Sequence, residues 1–333
     1  TSQNYTRLDS APATTLDWVG FDVSGAVYSQ NFSIAAQETS PQGVAFNTDG
    51  TKMFIVGYAD DKVFQYALST AFDISTASYA SLSYSVSTQE TIPSDIAFNA
   101  DGTKMFIVGR TGVDVNEYTL SVGFDLGSTI AFVDSFSVSA QETDPRGLAF
   151  NTDGTKMFVL GEAGRDVNEY ALSTGFDVST ASYSQAFSIA AQETQPQGLA
   201  FSPTGTKMFI IGVTGQDVNE YTLSTGFDVS TSVFVDAFSV ASQETSPQGV
   251  AFSTDGTKMF VIGASGDDVN EYTVAALLTL GTGSFASADV GKTIEANSGA
   301  FVLTATSGSY LQVTAPTSFN QVASGSWGMF GVI

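Results

Sequence analysis

The phrase "AFNTDGTKMFIVG", from Ala45 to Gly57, is written five times with small changes. It returns as "AFNADGTKMFIVG" from Ala97, "AFNTDGTKMFVLG" from Ala149, "AFSPTGTKMFIIG" from Ala200 and "AFSTDGTKMFVIG" from Ala251. A second marker keeps the same time. Gln-Glu-Thr begins at Gln37, Gln89, Gln141, Gln192 and Gln243, at spacings of 52, 52, 51 and 51 residues. Such a period constrains the fold more than any local propensity, because each copy must bury its apolar surface against its neighbours.

Every copy holds four strand-like pieces, clearest in the third: piece a is "RGLAF" from Arg146, b is "KMFVLG" from Lys156, c is "DVNEYAL" from Asp166 and d is "YSQAFSI" from Tyr183. Between a and b sits "NTDG", a turn in which Asp caps its own backbone and Gly supplies a positive φ. Between c and d runs "STGFDVSTAS", a longer polar loop with one aromatic. Pieces a and b are apolar on nearly every residue, as strands covered on both faces are, whereas d alternates. This makes a and b inner strands and d an outer one. The small residues Ala45, Ala97, Ala149, Ala200 and Ala251 fit a crowded axis.

Four antiparallel strands at this period describe a propeller blade. The phase of the copies predicts closure. A d-like strand, "VYSQNFSI" from Val27, precedes any a, b or c, and the last copy ends after c at "NEYTV" from Asn270 without a d of its own. Five abc sets and five d strands result, with the N-terminal strand completing the fifth blade. Closure of this kind leaves no open sheet edge between the first and last repeats. The expected architecture is all-β: a lead-in segment at 1–20, a five-bladed β-propeller at 21–274 and a small C-terminal β module at 275–333. The module has under 60 residues, little for an independent core, which points to burial against the propeller or another subunit.

Composition narrows the chemistry. The 333 residues include 34 acidic and 11 basic side chains, a net charge of -23, which disfavours nucleic acid and anionic membrane surfaces as partners. No apolar run approaches the ~18 residues of a membrane helix, so no membrane insertion is expected. Histidine and cysteine are both absent, which removes disulfides, Cys or His zinc sites and any Ser-His or Cys-His nucleophile pair. The acidity suits a salty extracellular setting. The chain opens on Thr1 rather than Met, so an upstream segment is expected.

"PQGVAFNTDGTKMFIVG", followed in later copies by "NEYTLSTGFDVSTAS", resembles the NHL- and YVTN-like β-propeller repeats of extracellular and phage proteins. The tail, "SFASADVGKTIEANSGAFVLTATSGSYLQV" closing with "SGSWGMFGV", is similar to short C-terminal modules of phage tail fibres. Together the resemblances imply a virion tail-fibre or receptor-binding protein. It would attach to a host surface glycan or receptor, associate with other virion tail proteins and form a homotrimer. A secreted or surface-layer bacterial adhesin is the alternative, and a propeller glycoside hydrolase a third reading.

Four constellations carry polar chemistry. Lys52, Lys104, Lys156, Lys207 and Lys258 recur in phase with Glu38, Glu90, Glu142, Glu193 and Glu244, and read as Lys–carboxylate contacts stapling neighbouring blades. "DVNEY", at Asp114, Asp166, Asp217 and Asp268, offers oxygens of the kind calcium takes. The first copy breaks that pattern with Lys62 and Gln65, so no cofactor is expected beyond adventitious calcium. Carboxylates copied in every blade are scaffold rather than catalyst, since glycoside hydrolysis needs an asymmetric pair; Asp95 in place of the usual Gly, and Asp60 with Asp61, are the isolated exceptions. The chain is therefore expected not to be an enzyme. Phe21, Phe72, Phe124, Phe176 and Phe227, in the loops between c and d, are expected to plug each blade. What varies between copies lies between b and c. There Tyr58, Asp60, Asp61, Arg110, Asp114, Glu162, Arg165, Gln216 and Asp267 are the candidate ligand-binding residues, because recognition tends to sit on loops held by a rigid scaffold.

Overall fold

The structure is a computed structural model that describes residues 16–274, together with the strands Tyr5–Arg7, Ala276–Leu280, Thr293–Ala296, Gly299–Ser307, Tyr310–Thr314 and Phe330–Val332. The chain divides into two compact units. The larger, Ala26–Thr254 with Lys258–Thr273, is a five-bladed propeller.

Each blade is a four-stranded antiparallel sheet in the order a-b-c-d. Blade 3 runs Pro145–Phe150, Lys156–Gly161, Asp166–Leu172, Ala181–Ser188. Blade 5 takes a, b and c from Pro247–Phe252, Lys258–Gly263 and Asp268–Thr273, and its outer strand is Val27–Ser33. Asp268 pairs with Ser33 and Thr273 with Val27, so the N-terminal strand closes the ring as the phase of the repeats predicts.

The core lies between blades. One cluster joins Met53, Ile55 and Tyr66 of blade 1 to Phe260, Ile262 and Val269 of blade 5. Equivalent clusters join blades 1 and 2, 2 and 3, and 3 and 4. Strands a to c are therefore covered on both faces, while strand d of blade 3 alternates between half-buried and exposed residues. Burying a large apolar side chain contributes roughly 1.5–3 kcal/mol, and the repeat places the same Met, Phe and Tyr in every wedge.

The "NTDG" turn forms as expected. Asp49 accepts the Thr51 N–H at 2.9 Å and its hydroxyl at 2.5 Å, and Gly50 sits at φ 72°. That glycine is required twice over, because the Phe72 ring lies against its Cα where a Cβ would stand. The phenylalanines of the c–d loops plug the seams between blades, not the blades themselves. Phe176 groups with Phe150 of its own blade and Phe106 of blade 2, at ring separations of 5.5 and 6.2 Å.

The crowding at the axis falls two residues before the repeated alanines. A Cβ on Gly198 would meet the Cα of Gly249 at 2.8 Å, and one on Gly147 would meet Leu199 at 3.0 Å. The inner strands approach each other at these glycines.

The second unit includes residues 20–25, 255–257 and the remaining described strands. Its antiparallel sheet orders Leu16–Val19, Ala276–Leu280, Tyr310–Thr314, Gly299–Ser307 and Thr293–Ala296, and Tyr5–Arg7 pairs separately with Phe330–Val332. Residues 16–19, part of the lead-in segment of the sequence reading, thus form the edge strand of a sheet made otherwise from the C-terminal region.

Candidate functional site

An antiparallel a-b-c-d blade puts its b–c loops at one end of the ring with the d–a segments that enter each blade. The a–b turns and c–d loops lie at the other end. The two repeated charge sets divide between these ends, which corrects the pairing expected from their common phase.

At the a–b end the lysines pair with the glutamate of "DVNEY". Lys104 meets Glu117, Lys156 meets Glu169 and Lys207 meets Glu220, each at 2.7 Å, and Lys258 meets Glu271 at 2.8 Å. Lys and Glu belong to the same blade, on adjacent strands b and c. The contact with the next blade is made through its backbone. Lys104 Nζ donates to the Phe176 carbonyl at 2.5 Å, and Glu117 Oε2 accepts the Val178 N–H at 3.1 Å. The positive φ of Phe176, 57°, belongs to the turn that presents this pair of groups. In blade 1 Gln65 replaces the glutamate. It still accepts the Leu126 N–H at 2.8 Å, and Lys52 still donates to the Phe124 carbonyl at 2.7 Å, but the pair carries no carboxylate.

At the b–c end the Gln-Glu-Thr glutamates are buried and accept backbone N–H groups. Glu90 takes those of Ile92 at 2.6 Å, Thr111 at 3.1 Å and Gly112 at 3.0 Å. Glu193 does the same for Gln195, Thr214 and Gly215. Gly109 and Gly212, which end strand b, must lack a side chain because those glutamates occupy the space. Burial pushes the Glu38 carboxyl above its ordinary range, against hydrogen bonds that favour its charge. Each b–c loop is thereby held from beneath through its backbone N–H groups, an anchor that does not depend on which side chains the loop carries.

The loops also share one backbone shape. Asp61, Val113, Arg165, Gln216 and Asp267, the residues just before strand c, lie at φ 53°, 51°, 53°, 51° and 46°. None is glycine, although the left-handed region costs other residues roughly 1–2 kcal/mol.

The nine candidate residues take different roles on this frame. Tyr58 and Asp60 stand exposed on blade 1, and Asp61 beside them is raised by burial and by the charges of Glu90 and Asp60. Arg165 is exposed on blade 3. Gln216 donates to the Thr245 carbonyl at 2.9 Å, and Asp267 Oδ1 is buried with no partner among the described residues. Asp114 lies under its own loop, bonded by the Asn116 amide at 2.7 Å, with burial raising its pKa. Asp166, Asp217 and Asp268 repeat this arrangement. The neighbouring asparagine amide thus takes one carboxylate oxygen of each aspartate, and among the described residues no group of three or more Asp or Glu is arranged to hold a metal ion.

Only Arg110 and Glu162 are drawn into one network, and its hub is a residue outside the nine. Arg146 pairs with Asp144 at 3.0 Å and with Glu162 at 2.5 Å, and donates to Gln197 at 3.1 Å. Arg110 reaches Asp144 at 3.5 Å, and Gln197 donates to Glu162 at 3.2 Å. Arg146 and Gln197 occupy a β-bulge of strand a, between the proline and the axial glycine. The signal for them lies in the Pro-x-Gly step, whose middle residue changes (Gln42, Ser94, Arg146, Gln197, Gln248) while most of its surroundings are copied. Asp95, next to Ser94, is buried at the axis, accepting Ile96 N–H and, across the seam, Leu148 N–H, each at 2.8 Å.

No family model matches the chain, and no curated protein matches it. Solved structures do. A functionally unknown protein from Desulfotomaculum acetoxidans is 14% identical, with a TM-score of 0.43 over 74% of this chain and 69% of that one. A luciferin-regenerating enzyme is 15% identical, with a TM-score of 0.45 over 75% and 95%. The periplasmic gluconolactonase of Pseudomonas aeruginosa is 17% identical, with a TM-score of 0.41 over 73% and 68%.

Proposed function

We propose that this chain is an attachment protein, a tail-fibre-like virion component that binds host-surface glycan through the b–c end of its propeller. The observation that supports the reading is the contrast between backbone and side chains there. Five loops share one left-handed residue and one buried glutamate, yet display Tyr58 with Asp60 and Asp61, Arg110, Glu162 with Arg165, Gln216, and Asp267. A constant frame carrying varied polar groups suits recognition, whereas catalysis needs one converging set. Binding, not turnover, is the activity this reading assigns. Weak contacts would multiply through effective concentration, and a homotrimer carried by the C-terminal module would extend the effect. That module's side chains lie outside the described residues.

A glycan array probed with the intact protein tests the reading. Saturable binding to one sugar class, weakened by Arg165→Ala or Asp267→Asn, is the expected result. Silence across host polysaccharides would reduce the chain to a structural fibre element. Sedimentation of the full chain tests the trimer.

A further inference from the structure

Five equivalent bulge positions ring the b–c end of the axis: Gln42, Ser94, Arg146, Gln197 and Gln248. Three satisfy their own polar groups. Gln42 donates to the Pro41 carbonyl at 2.9 Å, Gln248 to the Ser246 carbonyl at 3.1 Å and Gln197 to Glu162. The neighbouring pair on blades 2 and 3 does not. The Ser94 hydroxyl, on a residue only 3% exposed, has no partner among the described residues, and neither does the buried Nε–H of Arg146. Buried polar atoms are nearly always paired, so two orphans on adjacent inner strands need a reason. Serine is also much shorter than the glutamine that blades 1, 4 and 5 carry at this position.

The charges around the sector select the ligand. Arg110 and Arg146 are balanced by Asp144 and Glu162, so a charged ligand would meet as much repulsion as attraction. A neutral ligand with hydroxyls is served on both sides. Its oxygens can accept from the Arg146 Nε–H and the Ser94 hydroxyl, and its O–H groups can donate to Glu162 and Asp144, which stay partly exposed. We propose that the Ser94–Arg146 sector at the b–c end of the axis is a subsite for one neutral sugar ring, held through adjacent hydroxyls. The proposal rests on the attachment reading above and locates its principal contact.

The test uses the full chain and a panel of methyl glycosides, neutral and acidic, with the ¹⁵N–¹H signal of Arg146 Nε as the readout. A neutral glycoside is expected to shift that signal. Ser94→Gln, which installs the residue of blades 1, 4 and 5 and so suits the fold, should weaken binding at least tenfold. Ser94→Ala, which keeps the space, should weaken it severalfold, and Val233→Thr on an outer strand should leave it unchanged. If sugars bind with no shift at Arg146 and full strength in Ser94→Gln, but are lost in Arg165→Ala or Asp267→Asn, the subsite is wrong and the attachment reading stands. A preference for acidic glycosides overturns the subsite alone. If neutral glycosides are silent while polymeric glycans bind the array, the subsite again fails alone. Silence in both overturns the subsite and glycan attachment together.

Discussion

Replacing Asp95 by asparagine is expected to change its effect on stability from unfavourable to favourable as pH rises. Asp95 occupies the axial position that the other four blades give to glycine, and among the described residues its partners are two backbone N–H groups and no cation. Burial is the dominant cause that raises its carboxyl from 3.8 to about 7, partly opposed by those two hydrogen bonds. The unfolded chain releases the proton near 3.8, while the folded chain holds it to about 7. Between those values the folded state binds more protons, so stability falls as pH rises and reaches a plateau above about 7. About three units at 1.36 kcal/mol each amount to roughly 4 kcal/mol. Asparagine does not titrate, but its amide faces one of the two N–H donors, at a pH-independent cost of about 1–2 kcal/mol. In urea unfolding, Asp95→Asn should therefore be less stable than the parent near pH 4 and more stable by about 2 kcal/mol at pH 8. The other raised carboxyls, Glu38, Asp61, Asp114, Asp166, Asp217 and Asp268, titrate in both proteins and cancel in the difference. A stability difference that stays constant from acid to alkaline pH would refute the argument.

Three further outcomes follow from the geometry. Gln65→Glu gives Lys52 the carboxylate that the other blades have, and should stabilise by about 1 kcal/mol, a gain absent in a Lys52→Met background when both are measured by denaturation. Lys156→Met removes the partner of the buried Glu169 and the donor to the Phe227 carbonyl; a loss of about 3 kcal/mol in the same assay is expected. Arg165→Gly relieves an exposed non-glycine residue at φ 53° and should raise the urea midpoint by the equivalent of about 0.5–1 kcal/mol without changing the slope.

The ring was legible in the sequence because blade closure is a matter of counting, and an orphan d strand at one end with a missing one at the other has a simple resolution. The lysine partners were not. Two glutamate sets share the lysine period, so phase cannot choose between them. Register can: Glu117 lies opposite Phe106, two residues from Lys104 and on the same face, a diagonal that long side chains span. The b–c loops were found from their variation. Arg146 and Ser94 were missed because Pro-x-Gly reads as ordinary alternation until a bulge turns its middle residue toward the axis. Asp95 was noticed as an exception, but its contact with Leu148 of the next blade depends on a seam that no local pattern encodes.

The strand that closes the ring also sets a timetable. Val27–Ser33 is made first, yet its partner Asp268–Thr273 lies some 240 positions later, as the Gln30–Glu271 contact records with a separation of 241. At the usual 5–20 residues per second, that interval is roughly 12–48 seconds. Throughout it, blades 1 to 4 can assemble in order on local contacts while the first strand, which meets blade 1 through Phe32 and Tyr66, lacks the strand it pairs with. Closure of the ring is thus a late event in the synthesis of the chain. Two nascent copies held close together during that interval have the opportunity to exchange first strands, and the same feature that seals the finished molecule is where an exchange between copies would begin.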